Sequence, residues 1–214
     1  MATNSDSKMK KLYKYKSLNN MEHVLDIVFN NRLYCERWDK LNDPMEACYE
    51  LYAESESDKA RMDDRTKKAL NVWRVVALAA SNKNYLLWSH YADGHRGIAI
   101  EVDIPVKHPY LEQVKYDILT TEFSHMDQTD YSMRHLLCYK REEWKHEKEY
   151  RIIIAEKKVD LPHAYFSLPM PIKRIYVGSR ADQQQVDILD KALAGKVKLV
   201  HMAVDKYGRM KIRK

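Results

Sequence analysis

Two carboxylates and a guanidinium recur at every second position in Glu147-Lys148-Glu149-Tyr150-Arg151. Read as an extended strand, that spacing turns Glu147, Glu149 and Arg151 to one face and Lys148, Tyr150 and Ile152 to the other. Two carboxylates beside an arginine can raise one pKa while orienting the other group. They can also hold a sugar hydroxyl or stabilise a cationic transition state. An edge strand with a charge ladder has the same spacing. Here the run continues into Ile152-Ile153-Ile154 and must enter the core.

Two other polar clusters invite the same question. Trp88-Ser89-His90-Tyr91-Ala92-Asp93-Gly94-His95-Arg96-Gly97 packs aromatic and polar residues ahead of a buried strand that carries Glu101. Asp93-Gly94 is a turn signal, and Gly97 permits close backbone approach. The cluster reads either as a site or as packing by Trp88 and Tyr91 with His90 capping a backbone group. Leu41-Asn42-Asp43-Pro44-Met45-Glu46 has two readings as well. Asp43 can cap a helix begun by Pro44, with Glu46 facing its positive end. Alternatively, Asn42 and Asp43 present hydrogen-bonding groups at a pocket rim. If all three clusters are functional they must line one cleft, with Trp88 and Trp144 buried as its apolar floor.

The elements that would position them are short and alternate in type. A helix is expected from Met21 to Phe29, capped by Asn19 or Asn20, followed by a strand at Arg32–Glu36. Pro44–Trp73 reads as helix, Arg74–Ala80 as a near-continuous apolar strand, and Gly97–Asp103 as a strand with a period of two. Asp130–Trp144 is expected to be helical. Further strands are expected at Glu149–Ala155, Lys173–Val177 and Lys196–Val204, with a helix over Ala181–Leu193. The pattern predicts an α+β fold, with a mixed or antiparallel central sheet, flanking helices and a single domain over residues 12–214. Residues 1–11 are polar and then basic, and are expected to form a flexible tail rather than a secretory signal.

Composition narrows the chemistry. The 214 residues are 45% hydrophobic and 32% charged, the balance of a soluble globular domain. No run approaches the roughly 18 apolar residues of a membrane span. Cys35, Cys48 and Cys138 are odd in number and scattered, which fits a reducing cytoplasm better than a disulfide framework. The nine histidines show no metal-ligand spacing, so no metal is expected. A net charge of +6 comes largely from Lys8–Lys16, Lys140–Lys148 and Lys206–Lys214. Such a surplus favours contact with a dinucleotide pyrophosphate or nucleic acid.

These clusters, with Leu12-Tyr13-Lys14-Tyr15-Lys16-Ser17 and Ile175-Tyr176-Val177-Gly178-Ser179-Arg180, follow in order the pattern of the domain of unknown function 2971 family, which the chain resembles along nearly its whole length. It is also similar to the ADP-ribosyltransferase fold. Those enzymes open with a strand bearing His or Arg, present a strand with an aromatic or Ser motif, and finish on a strand bearing a catalytic Glu. Lys14-Tyr15-Lys16, Ser89-His90-Tyr91 and Glu147-Lys148-Glu149 fall in that order, with lysines where the first motif has His or Arg.

That resemblance implies an enzyme cleaving NAD at the nicotinamide–ribose bond, with a toxin or phage-defence system as its setting. Glu149 would stabilise the oxocarbenium-like transition state and Glu147 would orient the acceptor. Tyr91 would stack on the nicotinamide, and His90 completes the expected catalytic set with Glu149, Glu147 and Tyr91. Lys14, Lys16 or Arg96 would hold the pyrophosphate. Asn42, Asp43, Ser89 and Arg151 complete the expected binding set. Two alternatives stand beside it. One is a nucleic-acid-binding or nuclease-like defence component in which Asp43, Glu147 and Glu149 hold a divalent ion. The other is a non-catalytic interaction module whose polar clusters brace the fold.

Overall fold

The computed structural model describes residues 8–47, 49–51, 54–116, 121–123, 130–156 and 161–213. The chain runs β1 (Met9–Lys16), α1 (Met21–Phe29), β2 (Arg32–Arg37), β3 (Tyr49–Leu51), α2 (Glu56–Leu70), β4 (Trp73–Ala79), α3 (Tyr85–Tyr91) and β5 (Ile98–Pro105). It continues through β6 (Leu111–Gln113), β7 (Lys115–Tyr116), β8 (Thr121–Phe123), α4 (Asp130–Leu136), β9 (Tyr139–Lys140) and β10 (Glu149–Ala155). It closes with β11 (His163–Ser167), β12 (Arg174–Val177), α5 (Gln183–Leu193), β13 (Lys198–Val204) and β14 (Met210–Ile212). The architecture is α+β, as the alternation of short elements predicts.

The central sheet runs β11-β2-β4-β1-β5-β12-β13-β14, with β10 paired to β4 and β6 paired to β10. Among the described strands of this sheet, β12 and β13 alone are parallel neighbours; the other pairs are antiparallel. Strand alternation sends Leu12, Val76, Leu78, Ile100 and Ile152 to one face. There they form the largest core cluster with Val24 and Ile27 of α1 and Val186, Leu189 and Leu193 of α5. The opposite face carries two smaller apolar clusters. One joins Leu70 of α2 and Met133 and Leu136 of α4 to Val75 and Ile153. The other joins Leu87 and Trp88 of α3 to Tyr15, Ala79 and Tyr176.

Two expected helices are shorter than their local pattern suggests. Pro44–Ala47 is a turn, β3 follows, and only Glu56–Leu70 is helical. The helix expected over Asp130–Trp144 stops at Leu136. Lys115 N–H then donates to the Cys138 carbonyl at 2.8 Å, and Tyr139–Lys140 pairs in parallel with β7. That departure carries Lys140 into the interior, where carboxylates await it, so long-range ion pairing overrides local helix preference.

β1 starts at Met9, inside the stretch read as a tail, because Met9, Lys10 and Lys11 pair with Pro105, Ile104 and Asp103. Residues 1–7 and Cys48 lie outside the described residues. Ser17, rather than Asn19 or Asn20, supplies a side-chain cap before α1; its hydroxyl accepts from the Asn19 N–H at 3.1 Å. Among the described residues no helix is long and apolar enough to cross a membrane.

The sheet is split at one place. On one edge of β4, Ala79 pairs with Tyr13, while Val75 and Arg74 pair with Glu36 and Arg37. Among the described pairs, Val76–Leu78 have no registered partner on that edge. β1 and β2 diverge there, and the Lys14 ammonium donates to the Ala77 carbonyl at 3.1 Å.

Candidate functional site

A cavity of about 280 Å3 occupies the split and takes side chains from both faces of the sheet. One wall is a charged cluster set between the two smaller apolar clusters. Along β10, Ile153 belongs to the α2/α4 side; Arg151 and Glu149 follow on the same face, opposite Ala77 and Ala79. Arg151 forks onto Glu46, Nη1 to Oε2 and Nη2 to Oε1, both at 2.7 Å. Its Nε donates to Glu149 Oε1 at 2.7 Å, and Nη1 also reaches the Leu137 carbonyl at 2.6 Å. The Lys140 ammonium donates at 2.8 Å to both Glu147 Oε2 and Glu149 Oε2. None of these five side chains is more than 5% exposed.

Local backbone geometry makes the convergence possible. β10 begins only at Glu149, so Glu147 does not reach this face by strand alternation as its spacing suggests. Glu147 ends a 3-10 turn, Glu142–Glu147, and Lys148 adopts a left-handed conformation with φ 46°. That single residue bends the chain so that Glu147 and Glu149 both turn inward. Asn84 locks the turn to α3: its Oδ1 caps the Leu86 N–H at 3.1 Å, while its Nδ2 donates to the His146 carbonyl at 2.5 Å. At the other end of α3 the Tyr91 hydroxyl donates to Glu147 Oε1 at 2.6 Å and accepts from Asn42 Nδ2 at 2.6 Å. The first, second and third clusters therefore meet at one hydroxyl.

The charges are unevenly balanced. Burial pushes Glu149 upward, but Arg151 and Lys140 outweigh it and hold the carboxyl down at about 2. Burial dominates at Glu147 and raises its pKa despite Lys140. Glu46 is likewise raised by burial against the pull of Arg151. Burial opposes the charge on Lys140, and Glu149, Glu147 and Glu46 together overcome it, leaving its pKa raised. Burial and the Glu147 contact raise Tyr91, which fixes its hydroxyl as a donor. Three carboxylates thus face two cations, so the fully ionised cluster carries one surplus negative charge.

Further charged side chains, three lysines and the Glu36 carboxylate, also line the cavity. Lys14 and Lys16 of β1 and Lys40 border the same cavity, and among the described residues none of the three forms a salt bridge. Burial lowers Lys14 to about 8 and also lowers Lys16. Apolar side chains from both sheet faces, including Leu33, Val76 and Leu87, complete the lining.

Of the expected site residues, Lys14, Lys16, Asn42, Tyr91, Glu147, Glu149 and Arg151 line the cavity. Four do not. Asp43 turns away and accepts from the Met45 N–H at 2.9 Å, so it holds its own turn. Ser89 faces His95 Nε2 at 3.1 Å. His90 is exposed, and Arg96 is exposed with its guanidinium 3.4 Å from the Asp93 carbonyl. Ser89-His90-Tyr91 lies on α3 rather than on a strand.

Much of the Trp88–Gly97 cluster is therefore architectural. Trp88 donates from Nε1 to the Asn82 carbonyl at 2.8 Å and stacks on His95. A Cβ at Gly97 would lie 2.2 Å from the Lys16 carbonyl oxygen, and one at Gly178 would lie 2.2 Å from that of His95. These contacts leave no room for a side chain at either glycine, though the two stand 81 positions apart.

Residue spacing misses Lys140, which looked like one more cation of a basic segment, and Glu46, which looked like a helix-end charge. Lys140 also bears on the divalent-ion alternative. Its ammonium occupies the place between Glu147 and Glu149 where a bridging ion would sit. Among the described residues no group of three or more His, Cys, Asp or Glu side chains is arranged to hold a metal.

Comparison of the chain with protein-family models, with the curated proteins and with solved structures finds no match.

Proposed function

We propose that the chain binds NAD in the split of the sheet and cleaves its nicotinamide–ribose bond. The observation that carries this reading is the bipolar cavity. A buried cluster that carries one surplus negative charge when fully ionised lies on the sheet face of Glu149, Lys14 and Lys16 enter from the opposite face, and Lys40 and Glu36 complete the charged lining. NAD has the matching polarity, a cationic nicotinamide riboside beside an anionic pyrophosphate. Cleavage leaves the bonding pair on the nicotinamide nitrogen and builds positive charge on the ribose, whose C1′ then bonds to the oxygen of water or of an acceptor as that group loses its proton. A carboxylate already fixed in a dry site stabilises that charge with little reorganisation.

Within this reading Glu147 is the carboxylate that faces the reacting ribose. Both oxygens of Glu149 are engaged by cations, which neutralise it. Glu147 keeps one oxygen on the neutral Tyr91 hydroxyl. Glu149 is then a positioning residue that holds Lys140 and Arg151. Tyr91, fixed between Asn42 and Glu147, sets the height of the carboxylate rather than lying flat under the base. Lys14 and Lys16 meet the pyrophosphate.

Nicotinamide release and thermal protection by NAD test the reading together. NAD is expected to raise the unfolding midpoint of the wild type. Glu147→Gln is expected to retain that shift while lowering nicotinamide release about a hundredfold or more, the scale of a lost preorganised transition-state contact. A wild type that neither gains stability from NAD nor releases nicotinamide would refute the proposal.

A further inference from the structure

The same sheet face that carries Glu149 continues, strand by strand, to a second and chemically different site. Glu149 stands opposite Ala79, Ala79 opposite Tyr13, and Tyr13 opposite Glu101. The pairing of Ile100 with Ile175 places Arg174 across from Glu101, and Arg174 stands beside Lys198. At ~4.8 Å per strand this row is roughly 24 Å long. Tyr13, which lines the cavity, meets Tyr176 edge-on at 5.9 Å between ring centres. Beyond Tyr176 lies an open groove of about 810 Å3 lined by Arg174, Lys198, His201 and Arg213, with no acidic side chain in its wall.

Glu101 lies beneath this end of the row. It accepts from the Tyr176 hydroxyl at 3.0 Å and from Arg174 Nη1 at 3.1 Å. Arg174 is thereby held in place while 40% of its side chain stays exposed. Lys198 and Arg213 are exposed and, among the described residues, form no salt bridge. The β13–β14 hairpin that bears them has an aromatic at its tip. Tyr207 is 68% exposed, with Lys206 Nζ and the Arg209 guanidinium carbon at 4.9 and 5.0 Å from its ring centre. The NAD reading uses none of these residues.

We propose that this groove and hairpin bind a single-stranded nucleic acid. Arg174, Lys198 and Arg213 take successive phosphates, and Tyr207 offers a stacking face to one base. Lys198 and Arg213, which have no acidic partner among the described residues, together with the half-exposed Arg174 held by Glu101, favour a polyanion. An exposed ring between two cations selects one whose bases are free to stack, which a duplex does not provide. The proposal stands apart from the NAD reading and shares no residue with it.

The test is fluorescence anisotropy of a labelled single-stranded oligonucleotide against the full chain over a salt series. Three phosphate contacts predict a slope of about −2 in log affinity against log salt, from about −0.7 per contact on single strands. The double change Lys198→Glu with Arg213→Glu is expected to weaken binding at least tenfold and to flatten the slope. Tyr207→Ala is expected to weaken it about tenfold, within the range for one lost base stack. All these positions are exposed, so unfolding midpoints and any NAD-induced shift should match the wild type. No binding at low salt, or undiminished binding by the Lys198/Arg213 variant, would overturn the proposal. So would a duplex bound as tightly as the single strand with Tyr207→Ala silent, which would mark a nonselective cationic surface. Oligonucleotide binding without any NAD effect would uphold this groove and count against the NAD reading alone.

Discussion

Glu147 and Glu149 sit two positions apart and share Lys140, yet their pKa values are shifted in opposite directions. Glu149 has a folded pKa of about 2, below its ordinary 4.5. Its contribution to stability is complete above pH 4.5 and is lost as pH falls toward 2. Glu147 is raised, so the folded state holds its proton more tightly. Its contribution is present below pH 4.5 and is lost as pH rises through the folded value. The two substitutions should therefore differ. Glu149→Gln leaves Arg151 and Lys140 buried with one counter-charge fewer and is expected to cost about 3–5 kcal/mol. Glu147→Gln replaces a carboxylate whose ionisation the fold already resists, and is expected to cost about 1 kcal/mol or less. Urea midpoints at pH 7 measure both. Equal losses would refute this division of roles. The spacing of Glu147, Glu149 and Arg151 announced a cluster but not this asymmetry, because the asymmetry depends on Lys140, which arrives from a different strand.

At the scale of elements, legibility followed the locality of the forces. α1 was readable from its apolar stripe, and β10 from its alternation into three isoleucines. Their ends are set by residues within a few positions. The residues after Pro44 and Leu136 were not readable, because β3 and β9 exist by pairing with distant partners. The two tryptophans flanking the clusters show the same limit. Trp88, on the buried side of α3, is fully buried against Tyr15, as its place before an apolar strand suggested. Trp144, also expected in the floor, is half-buried. Its ring lies 5.0 Å from the Lys140 ammonium and covers that charge from outside. Trp88→Ala is therefore expected to cost about 3–5 kcal/mol, the usual range for a core aromatic. Trp144→Ala should cost about 1–2 kcal/mol, since a half-buried ring loses less area and one partly screened cation–π contact. Denaturation midpoints of the two variants decide the matter, and a Trp144 loss as large as that at Trp88 would contradict the geometry.

For the molecule as a whole, the split in the sheet sets stability against binding. Lys14 is held where an ordinary strand would place an apolar side chain, and burial lowers it from 10.5 to about 8. Between those values the unfolded chain binds a proton that the folded chain does not, so stability must rise with pH across this window. The slope from this one group is at most about 1.4 kcal/mol per pH unit. Above pH 10 the sign reverses. Burial raises Tyr13 and Tyr116 to about 12, so the folded state retains protons that the unfolded state releases. Urea midpoints measured from pH 7 to 11 should therefore climb from about pH 8, peak near pH 10 and then fall. Lys14→Met should be more stable than the wild type at pH 7, should lose most of the climb, and should bind NAD more weakly. A bound pyrophosphate would supply the missing counter-charge and raise the Lys14 pKa, so saturating NAD should also flatten the wild-type climb. If the climb survives in Lys14→Met, the buried ammonium is not its source. If NAD stabilises the wild type but leaves the climb intact, its phosphates lie elsewhere than on β1.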